Sequence, residues 1–143
     1  MSFDERCGLL GGRWRPHDRG THELFLGGVE RLGIPDLKLE YLLQGGHTNG
    51  KSTRYPAPLA LAATFDTVLI RRVGQSLACD GRARGIQAAI APEVTLYDAS
   101  CEESRSATFG DQADHVAACA RALAAGLARS EERRVGKECI ALC

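Results

Sequence analysis

The sequence predicts an α/β chain in which strand, helix, strand and helix alternate around a parallel sheet. Asp36 to Tyr41 (DLKLEY) alternates apolar and polar residues, the periodicity of a strand. Val68, Leu69, Val73, Leu77 and Ala78 recur at helical spacing behind Asp66, whose carboxylate suits a helix N-cap. Ile86 to Ala91 (IQAAIA) is an apolar run of strand length, and Val116, Cys119, Leu123 and Leu127 then mark one face of an alanine-rich helix. Strands alternating with helices, with polar loops after the strands, form the pattern of a parallel sheet whose ligands lie beyond the C-terminal strand ends.

The remaining elements follow in chain order. Phe3 to Leu10 reads as a short helix packed through Phe3, Cys7 and Leu10, with Gly11 and Gly12 as its stop. Residues 13–28, rich in Arg, His and Gly and holding Trp14, read as a loop leading to a short element around Glu23 to Leu32. Gly33, Ile34 and Pro35 introduce the first strand, and a polar loop follows it. Gly85 stops the helix that starts at Asp66, Pro92 ends the IQAAIA strand, and Val94 to Tyr97 continues as extended chain or a further short strand. Leu37, Leu39, Val68, Leu69, Val73, Leu77, Ile86, Ile90, Val94, Leu96, Val116, Cys119 and Leu123 are the expected inward residues.

A length of 143 residues suits one domain or a piece of a larger one. Eighteen Lys plus Arg balance 18 Asp plus Glu, which argues against nucleic acid as a partner, because phosphate contacts need a basic surplus. The longest apolar runs fall far short of the roughly 20 residues that span a bilayer, and no signal peptide is visible, so no membrane partner and a cytoplasmic location are expected. The six cysteines form no Cys-x-x-Cys pair and the four histidines are scattered, so no metal and no cofactor are expected, and no specific protein partner is indicated.

The strand-end loops carry the polar side chains: Glu40, Gln44, His47, Asn49 and Lys51 after the first strand, then Asp98, Glu102, Glu103, Arg105 and Asp111. Acids, amides and arginine hydrogen-bond sugars and other polar metabolites, and paired carboxylates do acid and base work; the alternative is a set of solvated loop residues. Gly45 to Ser52 (GGHTNGKS) meets the spacing GxxxxGKS of a phosphate loop using Gly45, Gly50, Lys51 and Ser52. That motif needs a helix to begin at once, and Pro56 and Pro58 interrupt it, so a small nucleotide-binding domain is an alternative only.

Several separated blocks resemble the N-terminal domain of family 3 glycoside hydrolases, the β-glucosidase and β-xylosidase family. They are FDERCGLLGG at the start, LGIP at Leu32 to Pro35, YPAPLALAATFD at Tyr55 to Asp66, RRVGQSLACDGRARGI, and the segment Pro92 to Asp111. The resemblance covers residues 1–128 and implies a partial (β/α)8 barrel of the TIM type, holding only the first two or three β/α units. It implies a hydrolase acting on O-glycosyl bonds at terminal non-reducing β-D-glucosyl or xylosyl residues, with a β-linked glucoside or oligosaccharide as partner of the full-length homologue.

The resemblance also marks departures. A sugar-binding aspartate of the family falls on Tyr41, a histidine on Gln44, and a Gly-Gly-Arg block with its acid on Glu102, Glu103, Ser104 and Ala107; Phe109, Gly110, Asp111 and Gln112 keep part of a Phe-Gly-Glu-Asp block. Weak substrate-binding candidates are therefore Glu40, Tyr41, Gln44, Asp98, Arg105 and Asp111, with no catalytic residue among them. Retaining hydrolysis needs two carboxylates about 5 Å apart, and the family's nucleophile and general acid lie beyond the matched blocks, so the isolated chain is expected to be inactive. A noncatalytic carbohydrate-binding or pseudoenzyme domain is the alternative. Arg129 to Cys139 (RSEERRVGKEC) resembles a translated sequencing adapter, so residues 129–143 are expected to be an artefactual or disordered tail on a fragment.

Overall fold

The computed structural model describes residues 1–16, 22–42, 53–98 and 107–132, without the side chains of 22 and 129–132. It is a mixed α/β structure with a four-stranded sheet in the order β1-β2-β3-β4: β1 is Gly12–Pro16, β2 His22–Leu26, β3 Leu37–Tyr41 and β4 Ala88–Ile90. The β1/β2 and β2/β3 pairs are antiparallel, and only β3/β4 is parallel, with Leu39 opposite Ala88 and Tyr41 opposite Ile90. The expectation of an all-parallel sheet is corrected accordingly. The loop expected over residues 13–28 contains the β1/β2 pair, in which Trp14 faces Leu24 and Gly12 faces Leu26. Its signal is the short apolar run Leu24 to Leu26, which the surrounding arginines and glycines obscure.

Helix α1 (Phe3–Leu10) starts on a capping box: the Glu5 amide donates to Ser2 Oγ, and the Ser2 amide donates to the Glu5 carboxylate at 2.6 Å. Phe3, Cys7 and Leu10 were expected to pack it, yet none of its residues is buried. Arg31 instead ties it to the sheet layer by donating to both Glu5 carboxylate oxygens at 3.0 Å.

The core lies between two helices. Pro58 opens the short helix α2 (Pro58–Ala62) at a position where a missing amide hydrogen costs nothing. Asp66 Oδ1 then accepts from the amides of Val68 and Leu69, both at 2.9 Å, and caps α3 (Thr67–Ala83) as its sequence predicts. Gly85 follows with φ +72, a left-handed geometry that suits the residue after a helix end. Ile70, Gly74, Leu77, Ala78 and Gly81 form the buried stripe of α3, packed on α4 (Ala113–Glu132) through Val116, Cys119, Ala120 and Leu123, with Leu61 and Phe109 closing the cluster.

The stripe shows why part of the expected core fails. Val68 is 64% exposed and Leu69 is also exposed, because they sit in the first turn, off the line that runs from Ile70 through Gly74 to Gly81. The small residues of that line carry little hydropathy but let the backbones approach: a Cβ on Gly126 would lie 2.2 Å from the Arg71 carbonyl oxygen. Val94 and Leu96 are exposed as well, since Val94 to Tyr97 pairs with no strand and is held by the Tyr97 amide donating to the Gly110 carbonyl at 2.7 Å. Leu37 is exposed for a reason that concerns the sheet faces, described next. No helix among the described residues is long and apolar enough to cross a membrane.

Candidate functional site

Alternation along each strand sorts the side chains onto two faces. Register aligns Trp14 with Leu24, Leu24 with Leu39, Leu39 with Ala88 and Tyr41 with Ile90, so these residues share one face with Leu26 and Leu37. Apart from the tyrosine hydroxyl and the tryptophan N–H these residues are apolar, and His22 stands opposite Pro16 at the margin of the same face by register. This face is open: Trp14 is 65% and Tyr41 54% exposed.

The other face carries the charges and turns toward α3. Lys38 Nζ donates to Glu23 Oε1 at 2.6 Å, and Arg84, just past α3, donates through Nη1 to Glu40 Oε1 at 3.3 Å. Glu40 is only 6% exposed. Lys38 and Glu40, the polar half of the β3 pattern, are therefore enclosed, and the leucines face outward, the reverse of the packing expected for Leu37. Burial of the ion pair is tolerated because each charge has its partner. At the sheet margin Arg15 pairs with Asp36 and lies 4.7 Å over the Phe25 ring. The Gly28 amide donating at 2.5 Å, together with Arg15, holds the Asp36 carboxyl below its ordinary value.

The sequence-derived candidates divide by these faces. Tyr41 stands on the open face at the C-terminal end of β3, next to Ile90. Glu40, one residue earlier, points to the opposite side into the Arg84 pair, so the structure does not bring these two together. Asp98 and Asp111 are both exposed, and each follows one partner of the Tyr97–Gly110 backbone hydrogen bond, which draws their two segments together. Gln44, Arg105, His47, Asn49, Lys51, Glu102, Glu103 and the residues Gly45, Gly50 and Ser52 of the phosphate-loop pattern lie outside the described residues. The helix after that pattern begins only at Pro58, with residues 53–57 in nonhelical chain. Trp14 was missed by sequence reasoning; the alternation of Trp14 with Arg13 and Arg15 was the available signal.

The connection into α3 is fastened from both sides. Tyr55 donates its hydroxyl to Asp80 Oδ2 at 2.7 Å, and burial together with that carboxylate pushes the phenol pKa upward. Phe65 adopts φ +53, a left-handed conformation costly for an aromatic residue, and its ring stacks on His115 at 4.6 Å. His115 Nε2 lies 3.0 Å from the Ala62 carbonyl, so it carries the proton and donates. Cys119, 3.7 Å from the same nitrogen, is fully buried, and burial raises its thiol pKa, which disfavours a nucleophilic thiolate. Among the described residues no group of three or more His, Cys, Asp or Glu gathers in metal-binding geometry.

A helix-backed sheet with one parallel crossover defines a mixed α/β domain. Residues 27–140 match the Glycosyl hydrolase family 3 N terminal domain, and the chain belongs to that family. It is 30% identical over 133 residues to a β-glucosidase of Rhizobium radiobacter, covering 89% of this chain and 15% of that enzyme. A β-xylosidase of Formosa agariphila is 33% identical over 72 residues, 48% of this chain and 10% of that protein. Among solved structures, DesR, a β-glucosidase from Streptomyces venezuelae in complex with D-glucose, superimposes with a TM-score of 0.78 at 27% identity, over 91% of this chain and 16% of that chain. β-Glucosidase 3B from Thermotoga neapolitana in complex with glucose shares the fold at a TM-score of 0.77 and 19% identity, over 91% of this chain and 20% of that one.

Proposed function

We propose that this chain forms the first two or three β/α units of a family 3 (β/α)8 barrel and supplies one wall of a pocket for a terminal β-D-glucosyl or xylosyl residue. One observation carries the reading: β3 and β4 are parallel, joined through α3, with helices on the charged side and an uncovered apolar face on the other. In a barrel that uncovered face is the packed interior, and sugars enter at the C-terminal strand ends, where Tyr41 stands. Tyr41, Asp98 and Asp111, with Gln44 and Arg105, are the sugar-facing residues in this reading, and Glu40 serves the sheet through Arg84. The tail expected from residue 129 is corrected at its start, because α4 runs on to Glu132, and residues 133–143 lie outside the described residues.

Alone, the chain is catalytically silent, because a retaining site needs a nucleophile and an acid held about 5 Å apart in a rigid pocket. Incubation with an aryl β-glucoside and an aryl β-xyloside across pH, with the R. radiobacter enzyme as positive control, tests this. No release is expected; turnover abolished by Asp98→Ala or Glu40→Ala would overturn it.

Two exposed aromatic rings on one sheet face, Trp14 and Tyr41, favour a second reading as a noncatalytic carbohydrate-binding surface, since such rings stack on the apolar side of a pyranose. Trp14 is the single tryptophan, so its fluorescence reports cellobiose binding directly. A saturable change lost in Tyr41→Ala would favour the binding surface, and a flat titration would remove it.

A further inference from the structure

A groove of ≈ 500 Å³ lies beside Asp36, the residue before β3, and so at the opposite end of that strand from Tyr41. Small-molecule sites run from about 300 to 1,000 Å³, so the space suits a ligand of sugar size. Arg13 and Arg15, alternate residues of β1, lie on one face of that strand and line the groove. Glu30, Ile34, Pro35 and Asp36 supply most of the rest, with Gly28 and Gly33 between them. The two arginines are not equivalent. Arg15 is engaged, paired with Asp36 and lying over the Phe25 ring, whereas the Arg13 side chain makes no hydrogen bond or ion pair. Arg13 is nonetheless seated. A Cβ added to Gly8 would lie 3.2 Å from its Nη2, and one added to Gly27 would lie 3.3 Å from its Nε and 3.4 Å from its Cζ. Glycine at both positions leaves the space that the guanidinium occupies, and packing against two backbones limits its freedom before any ligand arrives.

We propose that this groove binds a sugar acid of the uronate class, with its carboxylate on Arg13, its hydroxyls donating to Glu30 and Asp36, and its ring against Ile34 and Pro35. A planar guanidinium with unused donors matches a carboxylate through two parallel hydrogen bonds. Glu30 and Asp36 offset the charge of Arg13 and Arg15, so a phosphate dianion meets two carboxylates and gains little, while a single carboxylate needs only Arg13. The same two acids are acceptors for hydroxyl groups, which a bare anion such as acetate lacks. Ile34 and Pro35 give the C–H face of a pyranose an apolar surface. The inference does not depend on the barrel reading, since no residue of the groove belongs to the β3/β4 pair.

The test titrates the 143-residue chain with sodium D-glucuronate at low ionic strength, following the Arg13 Nε–H and the amides of Gly28 and Gly33 by nuclear magnetic resonance. Saturable shifts at these groups are expected, with D-glucose, sodium acetate and inorganic phosphate each binding at least tenfold more weakly. Arg13→Gln should weaken glucuronate at least tenfold, and Arg13→Lys, which keeps the charge but loses the planar pair of donors, should fall between. Arg13 is exposed and carries no ion pair, so thermal unfolding of both variants should match the parent. Gly8→Ala displaces Nη2 while favouring α1, and should weaken glucuronate without loss of stability. Absence of shifts with glucuronate, or binding unchanged in Arg13→Gln, would overturn the inference. So would acetate or phosphate bound as tightly as glucuronate, the behaviour of an exposed arginine that takes any anion, and so would glucose bound as tightly, which would leave the carboxylate without a role.

Discussion

Gly126→Ala is the sharpest test of the helix pair. In isolation the change favours folding, since alanine is better than glycine in a helix interior by about 1 kcal/mol. The packing opposes it. The added Cβ would sit 2.2 Å from the Arg71 carbonyl oxygen, 2.9 Å from Gly74 Cα and 3.0 Å from the Gln75 amide nitrogen. All three are backbone atoms, so relief requires α3 and α4 to separate by about 1 Å to reach an ordinary carbon–oxygen contact of about 3.3 Å. That separation loosens Ile70, Leu77, Val116, Cys119 and Leu123 together. Overpacking of this kind costs about 1–3 kcal/mol, and here the upper end applies because no side chain can rotate away. The net expectation is destabilisation by about 1–2 kcal/mol, read as a lower urea midpoint at unchanged slope. Gly81→Ala is the internal control: its Cβ would lie 3.1 Å from the Leu42 side chain, which can adjust, and at an ordinary 3.9 Å from Ile86 Cβ. A Gly126→Ala variant as stable as the parent, or one less damaged than Gly81→Ala, would refute the close crossing of α3 and α4.

Other outcomes follow from the same geometry. Asp66→Ala removes the acceptor of two first-turn amides and should cost about 1 kcal/mol by urea denaturation. Arg84→Met leaves Glu40 enclosed without this partner and should destabilise by about 3 kcal/mol; an unchanged midpoint would mean that Glu40 is not held against α3. Asp36 has a lowered folded-state pKa, so its contribution is complete above its ordinary value of 3.8 and is lost as pH falls through the lower folded value. Asp36→Asn should remove that acid-side loss, measured as the difference between the two unfolding-versus-pH profiles. Under native conditions alkylation should modify the exposed Cys7 and Cys79 and spare buried Cys119 until denaturant is added, as peptide mass spectrometry would report.

The local grammar of α3 was legible because its cap and stop are written in side chains, Asp66 before it and Gly85 after it. The β3 strand was legible in its alternation, but alternation does not say which face a helix will cover. Lys38 and Glu40 are enclosed because Glu23 and Arg84, distant in sequence, supply opposite charges, and no local pattern encodes that meeting. The hairpin was hidden because the ends of β1, Gly12 and Pro16, are residues that usually mark loops, and strand pairing supplies what propensity lacks. Strand ends suggested Tyr41 and also Asp98 and Asp111, whose two segments the Tyr97–Gly110 hydrogen bond draws together. Trp14 was signalled only by its alternation with Arg13 and Arg15, and the register of β1 on β2 and of β2 on β3 is what brings it to the face that Tyr41 shares.

One parallel strand pair underlies the barrel reading, and nuclear Overhauser contacts across β3 and β4 measure it directly. A parallel ladder with Leu39 opposite Ala88 and Tyr41 opposite Ile90 predicts cross-strand contacts that advance along both strands in the same direction, beside an exposed Tyr41 ring. Contacts that advance in opposite directions, or a Tyr41 ring packed against α3, would contradict the barrel reading.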